Sequence, residues 1–202
     1  MITVIDYGMG NLGSVANMFR RIGAESNITS DLTEIRKAEK LLLPGVGAFD
    51  AAMQRIIESG IKEVLDKKVL EEKVPILGIC LGMQLLTYSS EEGKLQGLGW
   101  IRATTKKFRF DDPKLKIPHM GWNFIKQQKT HALIADLHED PRFYFVHSYY
   151  VSVEDKDDVL ANTHYGFDFN SMLQKDNIMG AQFHPEKSHK YGMKLLENFA
   201  KL

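Results

Sequence analysis

The chain has 202 residues, 44% of them hydrophobic, which is enough for one well-packed core and too little for two ordinary domains. Lys+Arg and Asp+Glu both number 26, and the resulting formal charge of zero argues against broad binding to nucleic acid or to an anionic membrane. The single cysteine, Cys80, excludes an intrachain disulfide and suits a reducing compartment. With no secretory signal pattern and no apolar run near about 18 residues, we expect one cytoplasmic domain over residues 1–202.

The first half of the chain alternates strand and helix patterns. Continuous apolar runs predict strands over residues 2–6, 40–43 and 74–79. Helical spacing predicts helices over residues 14–22 (with Ser14 as N-cap), 48–57, 61–70 and 81–88. This alternation predicts an α/β fold with a doubly wound, mostly parallel sheet flanked by helices, as in flavodoxin-like proteins.

The second half has a different pattern. Residues 97–125 combine aromatic and β-branched residues with turn signals and have no helical period. Residues 143–153, "FYFVHSYYVSV", predict one strand, residues 178–183 another, and residues 189–202 a closing helix. We therefore expect an additional antiparallel portion within the same domain.

The segment "GICLG", residues 78–82, places Cys80 between a predicted strand and a predicted helix. A G-x-[S/C]-x-G sequence in that context is typical of a nucleophile elbow, in which the glycines permit a tight turn. The N–H of Leu81 would then provide one oxyanion donor. The alternative is a buried structural cysteine, and the strand–turn–helix context favours a nucleophile.

The tripeptide His184-Pro185-Glu186 follows the predicted strand over residues 178–183. Pro185 favours an extended conformation at His184, and residues i and i+2 of an extended segment point to the same side. Glu186 can therefore orient the His184 imidazole, as the third member of a triad does. Alone, the tripeptide also fits an ordinary strand end, but together with Cys80 it favours a Cys-His-Glu site. His147, within an aromatic strand, is interpreted as a packed histidine.

Two glycine-rich segments leave alternatives open. "PGVG", residues 44–47, provides either a second oxyanion donor or an ordinary turn between strand and helix. "DYGMGNLG", residues 6–13, satisfies G-x-G-x-x-G after a strand, and Asp31 lies roughly 20 residues further on, as in a dinucleotide-binding fold. Asp31 is equally suited to cap the next helix, so a dinucleotide-binding module remains an alternative at this point.

Six motifs in register, from near residue 2 to near residue 200, resemble the class I (triad) glutamine amidotransferase family. They read "IDYGMGNLGSV", "PGVGAFDAAM", "GICLGMQLL", "IPHMGWN", "FVHSYY" and "GAQFHPEKS". The first and fourth are most similar to members that act beside a (β/α)₈ cyclase in histidine biosynthesis. A paralogous role, supplying ammonia for amidino sugars of surface polysaccharide, is an alternative that the motifs do not separate.

The resemblance implies a set of site residues. Cys80, His184 and Glu186 would form the triad that hydrolyses L-glutamine through a thioester on Cys80. The oxyanion hole would comprise Leu81, Val46 and Gly47. The substrate contacts would be Gly45, Gln84, Glu92, Ser148 and Tyr149. The cyclase interface would include Asn11 and Trp122. Ammonia would pass to the cyclase through a shielded channel, and no cofactor or metal is implied.

Overall fold

The computed structural model describes residues 1–202 as an α/β fold built on one large mixed sheet. The strands are β1 Ile2–Ile5, β2 Ser26–Thr29, β3 Leu41–Gly45, β4 Ile76–Cys80, β5 Ser89–Ser90, β6 Ala103–Lys107, β7 His119–Phe124, β8 Lys126–Gln127, β9 Arg142–His147, β10 Tyr149–Val153, β11 Val159–Tyr165, β12 Phe167–Lys175 and β13 Ile178–Ala181. The α-helices are α1 Leu12–Arg21, α2 Leu32–Arg36, α3 Phe49–Glu58, α4 Ile61–Asp66, α5 Leu81–Leu85 and α6 His189–Lys201.

The parallel half of the sheet has the order β2-β1-β3-β4-β13, with every neighbouring pair parallel. Successive strand residues point to opposite faces, so each of the four inner strands β1, β3, β4 and β13 contributes to two cores, whereas the edge strand β2 contributes to neither. In β3, for example, Leu41 and Leu43 join the core under α2 to α5, whereas Leu42 joins the core under α1 and α6. Burial on both faces explains why these inner strands are apolar runs, and it confirms the predicted doubly wound fold.

The antiparallel half continues from β13 through β12, β10 and β6, which confirms the additional portion expected from the sequence. The single strand predicted over residues 143–153 is wrong. The chain bends at Ser148, so that β9 pairs with β7 in a separate two-stranded sheet and β10 pairs with β6 in the main sheet. Strand-forming residues occur on both sides of Ser148, and only the pairing partners impose the bend.

Helix boundaries show where local patterns were misleading. Helix α1 begins at Leu12 with Asn11 at the N-cap position, so the predicted Ser14 cap is wrong: Ser14 lies inside the first turn. Asp31 caps α2, since its Oδ1 accepts the N–H groups of Thr33 at 2.7 Å and Glu34 at 3.0 Å. The helix predicted over 81–88 ends early, at Leu85. None of the helices is both long and apolar enough to cross a membrane.

Candidate active site

Cys80 occupies a strained turn between the end of β4 and the start of α5. Its φ of 54° and ψ of −109° are unusual for a residue with a side chain. The turn is possible because α5 approaches β3 closely at Gly82, where an added Cβ would lie 1.8 Å from the Leu43 carbonyl oxygen. Gly78 is similarly crowded, with an added Cβ 2.7 Å from the Gly82 backbone. These contacts explain why both flanking residues are glycine.

His184 and Glu186 form the pair that the tripeptide predicts. His184 Nδ1 lies 2.7 Å from Glu186 Oε1, and both side chains are only 3% exposed. Burial alone would lower the pKa of His184, but the proximity of Cys80 and the hydrogen bond with Glu186 outweigh it and raise that pKa to about 10. The imidazole therefore holds a proton at neutral pH, and a cationic imidazole favours the thiolate form of a neighbouring cysteine.

Sheet register brings the nucleophile and the histidine together. β4 and β13 are parallel neighbours with Ile79 opposite Ala181, so both chains reach the same carboxyl edge of the sheet. Cys80 is the last residue of β4, and His184 lies three residues beyond the end of β13. Residues separated by about one hundred positions thus line one cavity at the edge where open α/β sheets bind ligands.

A cavity of about 350 Å³ opens beside Cys80. Its lining includes most of the residues expected to contact substrate or oxyanion: Val46, Gly47, Leu81, Gln84, Glu92, Ser148 and Tyr149. Gly45 is an exception, because it is buried opposite Cys80 in the β3–β4 pair and does not line the cavity. This volume suits a small ligand and is at the low end for binding clefts.

The segment after β3 presents unpaired backbone donors at the cavity. The N–H groups of Val46 and Gly47 make no hydrogen bond within the chain. Gly47 has a φ of +109°, which residues with a side chain rarely adopt. A Cβ added to Gly47 would lie 2.7 Å from Met9 Cε. The glycine-rich loop over residues 6–13 therefore packs against this segment, with Tyr7 Oη donating to Pro44 O at 2.7 Å.

Comparison with known proteins gives the family. The family model for class-I glutamine amidotransferases matches residues 3–202. The chain belongs to this family. An imidazole glycerol phosphate synthase subunit, HisH 2 of Methanococcus maripaludis, is 58% identical over 100% of this chain and 99% of the relative. HisH of Leptospira borgpetersenii and HisH 2 of Pseudomonas aeruginosa are each 49% identical over 100% of both chains.

Solved structures agree on the fold of this glutamine amidotransferase. A putative GMP synthase protein from Thermoplasma acidophilum has a TM-score of 0.72 over 99% of this chain and 92% of that chain, at 21% identity. A solved glutamine amidotransferase has a TM-score of 0.71 over the full length of both chains, at 18% identity. At such low identities these similarities establish the architecture alone.

The amidotransferase site includes residues that the sequence reasoning missed. Gln182 is completely buried, and its Nε2 donates to Cys80 Sγ at 3.8 Å. Lys187 lines the cavity beside His184. His147, interpreted above as a packed histidine, is indeed buried but also lines the cavity. Gln182 lies beyond the end of β13, and the chain bends at residues 182 and 183, so strand periodicity does not account for its contact with Cys80.

The residues expected at the cyclase interface are both exposed. Asn11 lies at the start of α1, and its side chain makes no capping hydrogen bond. Trp122 lies on β7 and is 45% exposed, with its ring stacked on His189 at 5.5 Å. The neighbouring outward residues of β7, Met120 and Phe124, are 62% and 53% exposed. An apolar row of this kind on a strand is typical of a protein contact surface.

Proposed function

We propose that this chain is the glutaminase subunit of an imidazole glycerol phosphate synthase. Support comes from the full-length identity of 58% to a subunit of that name. The observation that carries the chemistry is the buried His184–Glu186 pair at Cys80, beside a cavity with unpaired backbone donors. The substrate is L-glutamine, and the products are glutamate and ammonia.

In the first half-reaction, the Cys80 sulfur attacks the side-chain carboxamide carbon of glutamine. The developing oxyanion accepts hydrogen bonds from the Leu81 N–H and from the N–H groups of Val46 and Gly47. His184, oriented by Glu186 through Nδ1, transfers the proton on Nε2 to the leaving nitrogen. Ammonia departs, and a γ-glutamyl thioester remains on Cys80.

In the second half-reaction, water attacks the thioester carbonyl and His184 accepts its proton. The same backbone donors stabilise the second oxyanion, and glutamate leaves as the Cys80–His184 pair is restored. Gln84, Glu92, Ser148 and Tyr149 line the cavity, and in this proposal they hold the α-amino and α-carboxylate groups of the substrate.

The partner that fits this role is a (β/α)₈ cyclase forming a heterodimer with the glutaminase. Ammonia released into water at neutral pH would become unreactive ammonium, so transfer through a shielded channel is chemically required. We assign the contact to the surface that includes Asn11 and the outer row of β7, because that row exposes Met120, Trp122 and Phe124. The cyclase would use the ammonia to form imidazole glycerol phosphate and AICAR in histidine biosynthesis.

A second candidate function is a paralogous glutaminase that supplies ammonia for amidino sugars of surface polysaccharide. Two relatives, from Methanococcus maripaludis and Pseudomonas aeruginosa, are named HisH 2, as a further copy of the subunit in one organism would be. The dinucleotide-binding alternative loses its support, since Asp31 caps α2 and the glycine-rich loop packs against Pro44.

The deciding experiment measures glutamate release by the wild-type chain and by Cys80→Ala, each alone and with a co-purified histidine-pathway cyclase. We expect the cyclase and its ribonucleotide substrate to stimulate wild-type turnover, and Cys80→Ala to abolish it. Retained turnover in Cys80→Ala would refute the thioester mechanism. Stimulation by a polysaccharide-pathway cyclase homologue, with none by the histidine-pathway enzyme, would favour the second candidate.

A further inference from the structure

Two buried histidines outside the triad, His119 on β7 and His147 on β9, form a direct ring-to-ring hydrogen bond. His119 Nδ1 lies 2.9 Å from His147 Nε2, and the residues are 3% and 6% exposed. The His119 ring is stacked between Phe145 at 4.8 Å and Tyr165 at 4.1 Å. Nothing in the triad chemistry uses this pair, although His147 reaches the cavity wall.

The hydrogen-bond partners determine which nitrogen of each ring carries the proton. His147 Nδ1 lies 2.7 Å from the Tyr149 carbonyl oxygen, which only accepts, so Nδ1 is protonated. Burial lowers the pKa of His147 to about 3 and that of His119 to about 4, so both rings are uncharged at neutral pH. His147 Nε2 is therefore an acceptor, and His119 Nδ1 must donate to it.

The same reasoning extends the series of hydrogen bonds in one direction, to Asn123 on β7. Because His119 donates through Nδ1, its Nε2 is an acceptor, and Asn123 Nδ2 lies 3.2 Å from it. Asn123 also donates to the His164 carbonyl oxygen at 2.9 Å. In the series Asn123, His119, His147, each residue thus donates to the next, and His147 donates to the Tyr149 carbonyl.

In the other direction, the Tyr149 carbonyl is linked to the nucleophile. It also accepts from Gln84 Nε2 at 3.2 Å, and Gln84 Nε2 donates its second N–H to Gln182 Oε1 at 3.1 Å. Gln182 Nε2 in turn donates to Cys80 Sγ at 3.8 Å. The Tyr149 carbonyl is therefore the point at which the cavity wall, the helix after Cys80 and the histidine pair are joined.

We propose that His119 and His147 are positioning residues that fix the Tyr149 peptide in the wall of the glutamine cavity through a one-way hydrogen-bond chain from β7. This deepens the proposed function and depends on it. The strand period places His119 and Asn123 on the inner side of β7 and Trp122 on the outer side, so a shift of β7 when a partner docks moves both inner side chains together. This series of hydrogen bonds thereby couples the docking of a partner on β7 to the affinity of the cavity for glutamine.

The expected change in KM and kcat follows from the place where the hydrogen-bond series ends, which is the Tyr149 carbonyl in the cavity wall. In the proposed function, Ser148 and Tyr149 hold the α-amino and α-carboxylate groups of glutamine, which the reaction does not change, so their contacts are the same in the ground and transition states. Loss of such uniform binding raises KM and leaves kcat nearly unchanged. A residue that only supports the fold would instead lower the amount of active enzyme and hence the apparent kcat.

The test uses the complex with its cyclase and compares four variants with wild type. His147→Phe keeps a ring but removes the donor to Tyr149, and we expect its KM for glutamine to rise roughly tenfold with kcat within about twofold. His147→Asn places an amide N–H near the position of Nδ1 and should restore KM to within about threefold. His119→Phe keeps the stacked ring, removes the donor to His147 and should have an intermediate effect. His138→Phe, a surface histidine packed edge-on against Tyr191, is the matched control.

A second measurement needs no variant. Imidazole ¹⁵N chemical shifts of the wild-type complex should show His119 and His147 uncharged and protonated at Nδ1 at pH 7. Protonation at Nε2 of His147 would overturn the proposal, as would an unchanged KM in a folded His147→Phe. Absence of stimulated glutaminase in wild type would overturn the proposed function and this inference with it, whereas an active wild type with an unchanged variant KM overturns this inference alone.

Discussion

Replacing Gly82 with alanine tests the packing that creates the Cys80 turn. The new Cβ would lie 1.8 Å from the Leu43 carbonyl oxygen and 2.9 Å from the Leu43 carbonyl carbon. Both atoms are backbone, so no side-chain rotation relieves the contact, and α5 and β3 must separate by more than about 1 Å. Overpacking of this kind costs about 1–3 kcal/mol of the free energy of unfolding.

The separation would also reach the proposed catalytic groups, because the two elements carry the two halves of the proposed oxyanion hole. β3 leads directly into Val46 and Gly47, and α5 begins with Leu81. A misplacement of about 1 Å in an active site lowers the rate roughly 10²-fold. We therefore expect Gly82→Ala to lower both the melting temperature, by roughly 2–4 °C per kcal/mol lost, and the cyclase-stimulated kcat/KM.

Gly13→Ala is the matched control for stability, since an added Cβ at Gly13 in α1 meets no atom within 4 Å. Alanine in a helix is favoured over glycine by roughly 0.5–1 kcal/mol, so this variant should be as stable as wild type or more so. The assays are guanidinium unfolding and glutamate release in the presence of the cyclase. A Gly82→Ala protein with wild-type stability and activity would show that the contact with Leu43 does not shape the turn.

Three further predictions concern the triad, the buried histidines and the interface. Glu186→Gln keeps the size of the side chain but removes the charge that orients His184, and stimulated kcat should fall at least about 10²-fold; a smaller loss in steady-state assays would argue against the triad. The folded-state pKa values of His119 and His147, about 4 and about 3, lie below the usual 6.5, so their contribution to stability is complete above pH 6.5 and is lost as the pH falls through 6.5 toward 4. The unfolding free energy of wild type differs between pH 7 and pH 4.5, and His119→Phe should make this difference smaller by about 2 kcal/mol. If urea titrations show the same difference in the variant and in wild type, His119 is not a neutral buried ring. Asn11→Ala should weaken cyclase stimulation while the unfolding free energy stays within about 0.5 kcal/mol of wild type, since the side chain is exposed and caps nothing; equal stimulation and equal cyclase affinity would remove Asn11 from the interface.

The sequence by itself determined the features whose causes are local. The apolar strands and their alternation with helices follow from burial on both faces of a parallel sheet, and "GICLG" follows from a turn that only small flanking residues permit. The His184–Glu186 pair was predictable because its members are only two residues apart, and the structure places their atoms 2.7 Å apart. The expected extended segment is wrong, since only His184 is extended and Glu186 lies in a 3₁₀ turn over Pro185–Lys187. The cap role of Asp31 was predictable for the same reason, being a contact across two or three residues.

The tertiary structure decided what depends on pairing between distant segments. The bend at Ser148 arises because β9 and β10 pair with different sheets, although the composition on its two sides is alike. The packing of the glycine-rich loop against Pro44 and the bond between His119 and His147 join segments 37 and 28 residues apart. Local periodicity contains no information on these long-range contacts. They are set by which strands lie side by side and by which buried polar groups form hydrogen bonds with one another.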